Sequence, residues 1–298
     1  MTATIRVGPA GWSYPDWEGI VYPPEKRRGF DPLAYLAGYF DTLEINSTFY
    51  RPPAPSAAAR WAERVAGNQD FRFTVKLYRN FTHQAESLTE DEIRRWREGL
   101  EPLRAAGLVG AVLAQFPYSF HYTEENRAWV ARIRDLFPSD PLVLEARHRS
   151  WASPAAPLFL KGLGIGFCNI DQPRVSYSLL PSAIATSPVG YARFHGRNAR
   201  DWFREGAGRD ARYDYLYSAE ELEEWVPRIE KMGEEAREVY AIANNHYRGQ
   251  AVCNALELRA RLEGRNVSVP PALLAAYPRL RGIASPGRSL ADHELNLA

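Results

Sequence analysis

The order of its apolar segments is the feature that most restricts the fold of this 298-residue chain. Eight short runs rich in apolar, β-branched or aromatic residues recur along it, and segments with the periodicity of amphipathic helices separate most of them. Strands that alternate with helices favour parallel crossovers, and closure into a barrel removes the exposed edges that eight strands would otherwise present. We therefore predict an α/β fold that is a single TIM-type (β/α)8 barrel.

The predicted elements follow from these runs and from helix-start signals. The strands are predicted at Ile5–Gly8, Thr42–Ser47, Phe71–Leu77, Gly110–Pro117, Leu142–His148, Ile165–Asp171, Tyr191–Arg197 and Glu238–Asn245. The helices are predicted at Asp31–Phe40, Ala57–Ala66, Thr89–Ala106, Glu124–Phe137, Ala219–Glu235 and Gly249–Glu263. Thr89 and Ser218 are each followed three residues later by a glutamate, which is the pattern of a capping box.

One crossover is irregular. The segment "PRVSYSLLPSAIATSP" between strands six and seven carries prolines and no helical stripe, which predicts a degenerate crossover there. Since no low-complexity linker or composition boundary interrupts the chain, we predict one domain over residues 1–298, with a C-terminal tail at about 280–298.

Composition limits the class of protein and its compartment. The formal charge of +1 argues against a strong global field, so affinity for phosphate or nucleic acid would need a local patch. The two cysteines form no CxxC pair, which is typical of a reducing compartment. The start of the sequence lacks the pattern of a signal peptide, and the longest apolar run, Ala105 to Ala114, is half of the roughly 20 residues that a membrane span needs. We therefore predict a soluble, cytoplasmic protein without a membrane partner.

Polar residues collect near the carboxyl ends of the predicted strands, where barrel enzymes carry their active sites. Side chains of a barrel strand alternate between the interior and the helices. Burying charges against the helices would cost more free energy, so we predict that the polar face points inward. The predicted ring comprises Glu44, Asn46, Lys76, Gln115, Glu145, Arg147, Asn169, Asp171, Arg193, His195, Arg197, Asn244 and His246.

The residue types of this ring suggest their roles. Carboxylates and histidines can act as general acids and bases, so the predicted catalytic residues are Glu44, Glu145, Asp171, His195 and His246. Arginine forks suit phosphate or carboxylate oxygens, so the predicted substrate-binding residues are Asn46, Lys76, Gln115, Arg147, Arg193, Arg197 and Asn244. Structural ion pairs such as Glu145–Arg147 or Glu44–Lys76 are the alternative interpretation.

No cofactor is identified by the sequence. It contains no HExxH, CxxC, GxGxxG or GxSxG spacing. Because cations interleave with the ring carboxylates and would repel a divalent ion, we predict anion binding without a metal. Neither cysteine falls on the predicted polar face, so thiol catalysis is not predicted.

Nucleic acid is an alternative partner to an anionic small molecule. The segment 197–215 interleaves arginines with aromatic residues, which suits phosphate contacts with base stacking. These residues are Arg197, Arg200, Arg204, Arg209 and Arg212 with Trp202, Phe203 and Tyr213. A solvated loop whose aromatic residues pack on the barrel rim is the other interpretation.

A set of motifs in consistent order resembles the domain-of-unknown-function 72 family, also called YecE-like. They are "GPAGWSYPDWEGIVYP", "FDTLEINSTFYR", "FTVKLYR", "AVLAQFPYSFH", "LEARHRSW", "NIDQP", "YARFHGRN", "YDYLYSAEELEEW" and "NNHYRGQAVCNALEL", from about Gly8 to about Leu258. The resemblance implies a TIM-type barrel but no activity. It implies recurrent polar positions at the ring residues above other than Asn169, and at Asn245. Ala146 and Ala243 depart from it, since similar proteins often carry bulkier residues there.

These observations lead to one functional hypothesis with two alternatives. The first is hydrolysis of a phosphate ester at the barrel mouth, with a nucleotide or nucleic-acid fragment as substrate. The second is a non-catalytic module that binds an anion or nucleic acid. The third is an enzyme of sugar or sugar-acid chemistry.

Overall fold

The computed structural model describes residues 2–84, 88–175, 177–202 and 209–285, and its centre is a single sheet of eight parallel strands. The strands are β1 (Thr4–Pro9), β2 (Thr42–Ile45), β3 (Arg72–Lys76), β4 (Val109–Gln115), β5 (Leu142–Glu145), β6 (Gly166–Asp171), β7 (Val189–Phe194) and β8 (Glu238–Ala243). Hydrogen-bonded neighbours run in the order β1-β8-β7-β6-β5-β4-β3-β2. Each strand after β2 therefore pairs with the one before it in sequence, as in a (β/α)8 barrel.

The first and second strands bring the two ends of this sheet together. Ala10 forms a parallel bridge with Glu44, and the amide of Gly11 donates to the Glu44 carbonyl at 2.9 Å. Gly8 lies at the same junction, where a Cβ atom would collide with the carbonyl oxygen of Thr42. A glycine is needed there because the two backbones approach so closely. The predicted TIM-type barrel is confirmed.

Helices follow most of the strands, as the sequence predicts. They are α1 (Pro32–Ala37), α2 (Pro55–Val65), α3 (Asn80–His83), α4 (Glu90–Ala105), α5 (Glu124–Leu136), α6 (Ala155–Leu163), α7 (Ala199–Trp202), α8 (Arg209–Arg212), α9 (Ala219–Glu223), α10 (Val226–Glu235), α11 (Gln250–Glu263) and α12 (Pro271–Ala276). The capping boxes of Thr89 and Ser218 both form, each with a side chain that accepts from the third helical amide. None of the helices in the described ranges is long and apolar enough to span a bilayer.

Two crossovers differ from a simple strand–helix unit. Among the described residues between β6 and β7, no helix forms, which agrees with the predicted degenerate crossover. The single helix predicted at Ala219–Glu235 is instead divided into α9 and α10. Pro227 stands at the start of α10 and cannot donate a backbone hydrogen bond to the preceding turn, so the helix is interrupted before it. This break brings Trp225 against the end of β6, where it contacts Asp171.

Candidate functional site at the barrel mouth

Arg193 occupies the centre of the barrel at the carboxyl end of β7. Its Nε and Nη2 donate to the two oxygens of Glu44 at 3.1 and 2.6 Å. Its Nη1 donates to Glu145 at 2.8 Å and to Gln115 at 3.1 Å. Tyr191 also lies on the inward face of β7, and its hydroxyl donates to Glu44 at 3.0 Å. One arginine therefore joins β2, β4 and β5 across the interior.

Glu145 begins a second chain of hydrogen bonds that ends on β8. Its Oε1 receives the Arg147 Nε at 3.0 Å and lies 3.1 Å from the His195 Nε2. The Nδ1 of His195 lies 3.1 Å from the side-chain nitrogen, Nδ2, of Asn244. Burial lowers the pKa of His195 to about 3, so the ring is neutral near pH 7. A neutral ring that accepts from Asn244 on Nδ1 carries its proton on Nε2 and donates it to Glu145.

The charges of this network set the protonation of Glu145. Burial by itself would raise the pKa of its carboxyl, but Arg193, His195 and Arg147 outweigh burial and hold that pKa well below its usual range. Glu145 is thus an anion with several donors on its two oxygens. Such a carboxylate is suited to orient cations and is a poor acceptor for a further proton.

Lys76 lies at the end of β3 on the inward face, as predicted, and differs from the arginines around it. Its Nζ lies 4.4 Å from the centre of the Phe49 ring. Burial, together with the charge of Arg193, lowers the pKa of Lys76 to about 7, although Glu44 and Glu145 oppose the shift. The amine therefore exchanges a proton near neutral pH.

A cationic region surrounds His83 beside Lys76. Burial, followed by the charges of Lys76, Arg79 and Arg147, lowers the pKa of His83 to about 4. The ring of His83 packs edge-on against Phe49 at 5.3 Å. His83 is the last residue of α3, the short helix that follows β3. Three cations thus act on one neutral histidine at this side of the barrel.

The opposite side of the mouth is aromatic. His246 stacks on Tyr14 with ring centres 4.5 Å apart, and Tyr213 lies 4.9 Å away. The hydroxyl of Tyr14 accepts from Asn46 at 3.4 Å, so Asn46 and His246 share a neighbour. Trp17 donates to the His246 carbonyl at 2.7 Å and is fully buried. The stacking side of His246 is therefore enclosed by aromatic residues of the rim.

The end of β6 corrects the predicted ring, because Asp171 lies on the helix-facing side. Its oxygens receive Arg197 at 2.7 and 2.9 Å, Tyr217 at 3.1 Å and Trp225 at 2.7 Å. Arg197 also pairs with Glu221, at 3.1 Å. Neither Asp171 nor Arg197 therefore joins Arg193 in the barrel. The Tyr217 hydroxyl, the Trp225 indole and the Arg197 guanidinium all donate to this carboxylate. Together they offset the free-energy cost of burying it against the helices.

The other residues of β6 follow the same alternation. Asn169 faces the helices, where its amide donates to the Ile184 carbonyl at 2.8 Å and to the Met232 sulfur at 2.9 Å. Cys168 faces the barrel interior instead, contrary to the prediction that neither cysteine shares the polar face. Burial, reinforced by the charge of Glu145, raises the pKa of the Cys168 thiol well above its usual range. The thiol is thus protonated at neutral pH, which opposes nucleophilic chemistry at this cysteine.

Several residues of the site were missed by the sequence interpretation. Tyr191 shares the face of Arg193 and His195, so its alternation on β7 could have identified it. Tyr217 and Trp225 carry no such signal, because they reach Asp171 from a different part of the chain. Phe49 is likewise identified only by its position over Lys76.

The side chain of Asn245 points away from the mouth, and we predict that it stabilises the fold and does not take part in binding. Its amide donates to the Tyr215 carbonyl at 2.7 Å and to Asn254 at 2.9 Å, which ties β8 to α11. We expect Asn245→Ala to lower the free energy of unfolding by roughly 1–2 kcal/mol, because buried hydrogen bonds are lost. Urea unfolding would measure the change, with exposed Asn266→Ala as the control. Equal stability of the two variants would contradict this role.

The described residues contain no group of three His, Cys, Asp or Glu side chains arranged to hold a metal ion.

The structure brings most of the predicted ring together. The interior site contains Glu44, Lys76, Gln115, Glu145, Arg147, Arg193, His195 and Asn244, and Asn46 and His246 lie at its aromatic rim.

Comparison with known proteins identifies the family. The model of the family "Protein of unknown function DUF72" matches residues 6–277. The chain belongs to this family. Among related proteins, the UPF0759 protein YunF of Bacillus subtilis (strain 168) is 27% identical over 287 residues, which cover 92% of this chain and 100% of YunF. The UPF0759 protein YecE of Escherichia coli (strain K12) is 30% identical over 201 residues, which cover 66% of this chain and 65% of YecE.

Solved structures of DUF72 proteins share the barrel. A DUF72 family protein of Thermotoga maritima MSB8 is 33% identical, with a TM-score of 0.76 over 87% of this chain and 99% of that protein. One of Enterococcus faecalis V583 is 29% identical, with a TM-score of 0.77 over 87% of this chain and 96% of that protein. The resemblance seen in the sequence motifs is therefore confirmed, and function must be argued from the site itself.

Proposed function

We propose that the barrel mouth binds a phosphate-containing small molecule and that the protein acts on this molecule there. The observation that carries the proposal is the surplus of positive charge around Lys76. Glu44 and Glu145 are matched by Arg193 and Arg147, with which they form buried ion pairs. Lys76 and Arg79 add further positive charge around His83. An anion would balance this charge beside Lys76, whose side chain is partly withdrawn from water.

The geometry of the mouth limits the choice of reaction less than it limits the choice of ligand. Hydrolysis of a phosphate ester needs a group that accepts a proton from water, and Glu44, Glu145 and His195 are the members of the predicted catalytic set that lie in the interior site. Each of them is engaged in the Arg193 or Asn244 contacts described above, which favours a supporting role for them. Ester hydrolysis stays a prediction, checked by release of phosphate from 4-nitrophenyl phosphate.

Binding through the segment 197–215 also stays a prediction. Arg197 is occupied by Asp171 and Glu221, so it supports the fold of this segment. Phe203 and Arg204 lie outside the described residues, as do the side chains of Trp202 and Arg209. The anion proposal therefore rests on the mouth and not on this segment.

Sulfate titration by calorimetry tests the proposed anion site. We expect Arg147→Ala to weaken sulfate binding about 10–100-fold, because it removes one of the cations around His83, leaves the charge of Glu145 less compensated, and a hydrogen bond to a charged group contributes roughly 1.5–3 kcal/mol. Arg95→Ala is the matched control, since Arg95 is 65% exposed and pairs with Asp91 on α4. Thermal melts of both variants would show that they are folded. Equal affinity of all three proteins for sulfate, or no binding by any, would reject the site.

The pH dependence of the same titration reports on Lys76. The pKa of Lys76 is about 7, so the amine is charged below that pH and neutral above it. Sulfate affinity should therefore fall as pH rises from about 6 to about 8, since sulfate keeps its charge while the lysine loses its own. Lys76→Arg should remove this pH dependence, because arginine stays protonated throughout. An unchanged pH profile in Lys76→Arg would show that another group causes it.

A further inference from the structure

Lysine is rare in this chain, and one of its lysines lies in the barrel. The sequence has 37 lysine and arginine residues, of which four are lysines: Lys26, Lys76, Lys161 and Lys231. Lys161 and Lys231 are exposed on α6 and α10, and Lys26 pairs with Glu18 at the surface. Arginine is otherwise the usual cation, including at Arg193 and Arg147 inside the site. Lys76 therefore stands where this chain could have used an arginine.

The surroundings of Lys76 favour a reactive amine. In the part of the chain that the structure describes, no carboxylate lies within ion-pair distance of Nζ. Glu44 and Glu145 are held by Arg193, so they neutralise the arginine first. Nζ instead faces the Phe49 ring at 4.4 Å. An amine desolvated in this way next to another cation is activated as a nucleophile.

We propose, on the basis of the phosphate site proposed above, that Lys76 forms an imine with the carbonyl carbon of a phosphorylated aldehyde or ketone. The cationic side of the mouth would hold the phosphate, and the amine would reach the carbonyl. A phosphorylated aldehyde or ketone is an anion, as the first hypothesis predicts, and it also belongs to the sugar chemistry of the third hypothesis. Arginine could not replace the lysine in this role, because it does not lose its proton in proteins.

The step balances without a cofactor. The lone pair of the neutral amine attacks the carbonyl carbon, a C–N bond forms, and the carbonyl π electrons move to oxygen. A proton passes from nitrogen to that oxygen and gives a carbinolamine. The hydroxyl then takes one further proton from solvent and leaves as water, while the nitrogen lone pair forms the C=N bond. The protonated imine carries one positive charge, the same as the ammonium that Lys76 holds below its pKa of about 7.

Reductive trapping with a mass readout tests the proposal. The full-length protein is incubated with dihydroxyacetone phosphate and sodium cyanoborohydride, and peptide mapping locates the secondary amine. We expect Lys76 to be modified at least tenfold faster than Lys26, Lys161 and Lys231. Excess sulfate should slow labelling of Lys76 and leave the three surface lysines unchanged. Labelling of Lys76 at the surface rate would overturn the proposal.

Two controls separate this inference from the anion site on which it rests. In Lys76→Arg, labelling of the other three lysines should persist while the adduct at position 76 disappears. Unphosphorylated dihydroxyacetone should label wild-type Lys76 at least tenfold more slowly than its phosphate. Sulfate binding without a Lys76 adduct would reject the imine and leave the anion site intact. Selective labelling that neither sulfate nor loss of the phosphate group affects would reject the phosphorylated substrate instead.

Discussion

Arg193→Met is expected to lower the free energy of unfolding by about 3–5 kcal/mol at pH 7, which is the usual loss when one partner of a buried ion pair is removed. Arg193 is 1% exposed and contacts Glu44 and Glu145, which are both fully buried. Without the guanidinium, Glu44 retains the Tyr191 hydroxyl as its remaining donor among the described residues. Its charge would then be buried without a counterion. Urea unfolding at pH 7 would measure the loss.

A double variant and a matched arginine show whether buried charge is the cause. Arg193→Met with Glu44→Gln should be at least about 1 kcal/mol more stable than Arg193→Met alone, because no carboxylate is left unpaired at position 44. Arg6→Met is the matched control at the other end of the barrel. Arg6 is 7% exposed, but its partner Glu238 is 33% exposed and can be hydrated after the arginine is lost. Equal losses in Arg6→Met and Arg193→Met would contradict the charge argument.

The pH dependence of these variants has a definite sign. The pKa of Glu145 is lowered in the folded protein, so its contribution to stability is present above its ordinary value and is lost as pH falls below it. Arg193→Met removes the strongest of the charges that lower this pKa, so Glu145 should take up a proton at a higher pH in the variant than in wild type. The difference in stability between wild type and Arg193→Met should therefore shrink from pH 7 towards pH 5.

The sequence predicted the barrel because strand and helix periodicities are local signals. Eight apolar runs separated by amphipathic segments are enough to limit the topology to a parallel barrel. The inward face of β7 was also predictable, since Arg193 and His195 alternate with Ala192 and Phe194 and only one face is polar. Phe194 indeed packs against Trp225, with ring centres 4.9 Å apart.

The same rule misassigned β6 because both of its faces carry residues that could be internal. Asn169 and Asp171 alternate with Cys168 and Ile170, and the prediction assumes that a charged residue on the helix-facing side costs too much free energy. That cost depends on donors that come from elsewhere in the chain. Trp225 contacts Asp171 because the predicted helix is divided between α9 and α10, just before Pro227. Tyr217, the other distant donor, lies before α9. Periodicity within a strand carries no record of such distant partners.

Asp171→Ala is expected to have a large effect on stability and little effect on the barrel mouth. It would leave Arg197, the Tyr217 hydroxyl and the Trp225 indole without their shared acceptor in a buried position. We expect the free energy of unfolding to fall by about 3–5 kcal/mol, because the loss combines a buried ion-pair partner with unsatisfied donors. Sulfate affinity at the mouth should change less than about twofold, since Asp171 lies outside the barrel interior and distant sites act independently.

The matched control for Asp171 is Asp140, another buried carboxylate on an arginine. Asp140 receives Arg104 at 2.8 Å through each of its two oxygens, and Arg104 is 23% exposed. Asp140→Ala should cost less than Asp171→Ala, because Arg104 can turn towards water and no buried hydroxyl or indole loses its acceptor there. Urea unfolding followed by circular dichroism avoids the direct effect of Trp225 on fluorescence. A stable Asp171→Ala protein that no longer binds sulfate would contradict this expectation. It would show that Asp171 belongs to the site at the barrel mouth, as the sequence predicts.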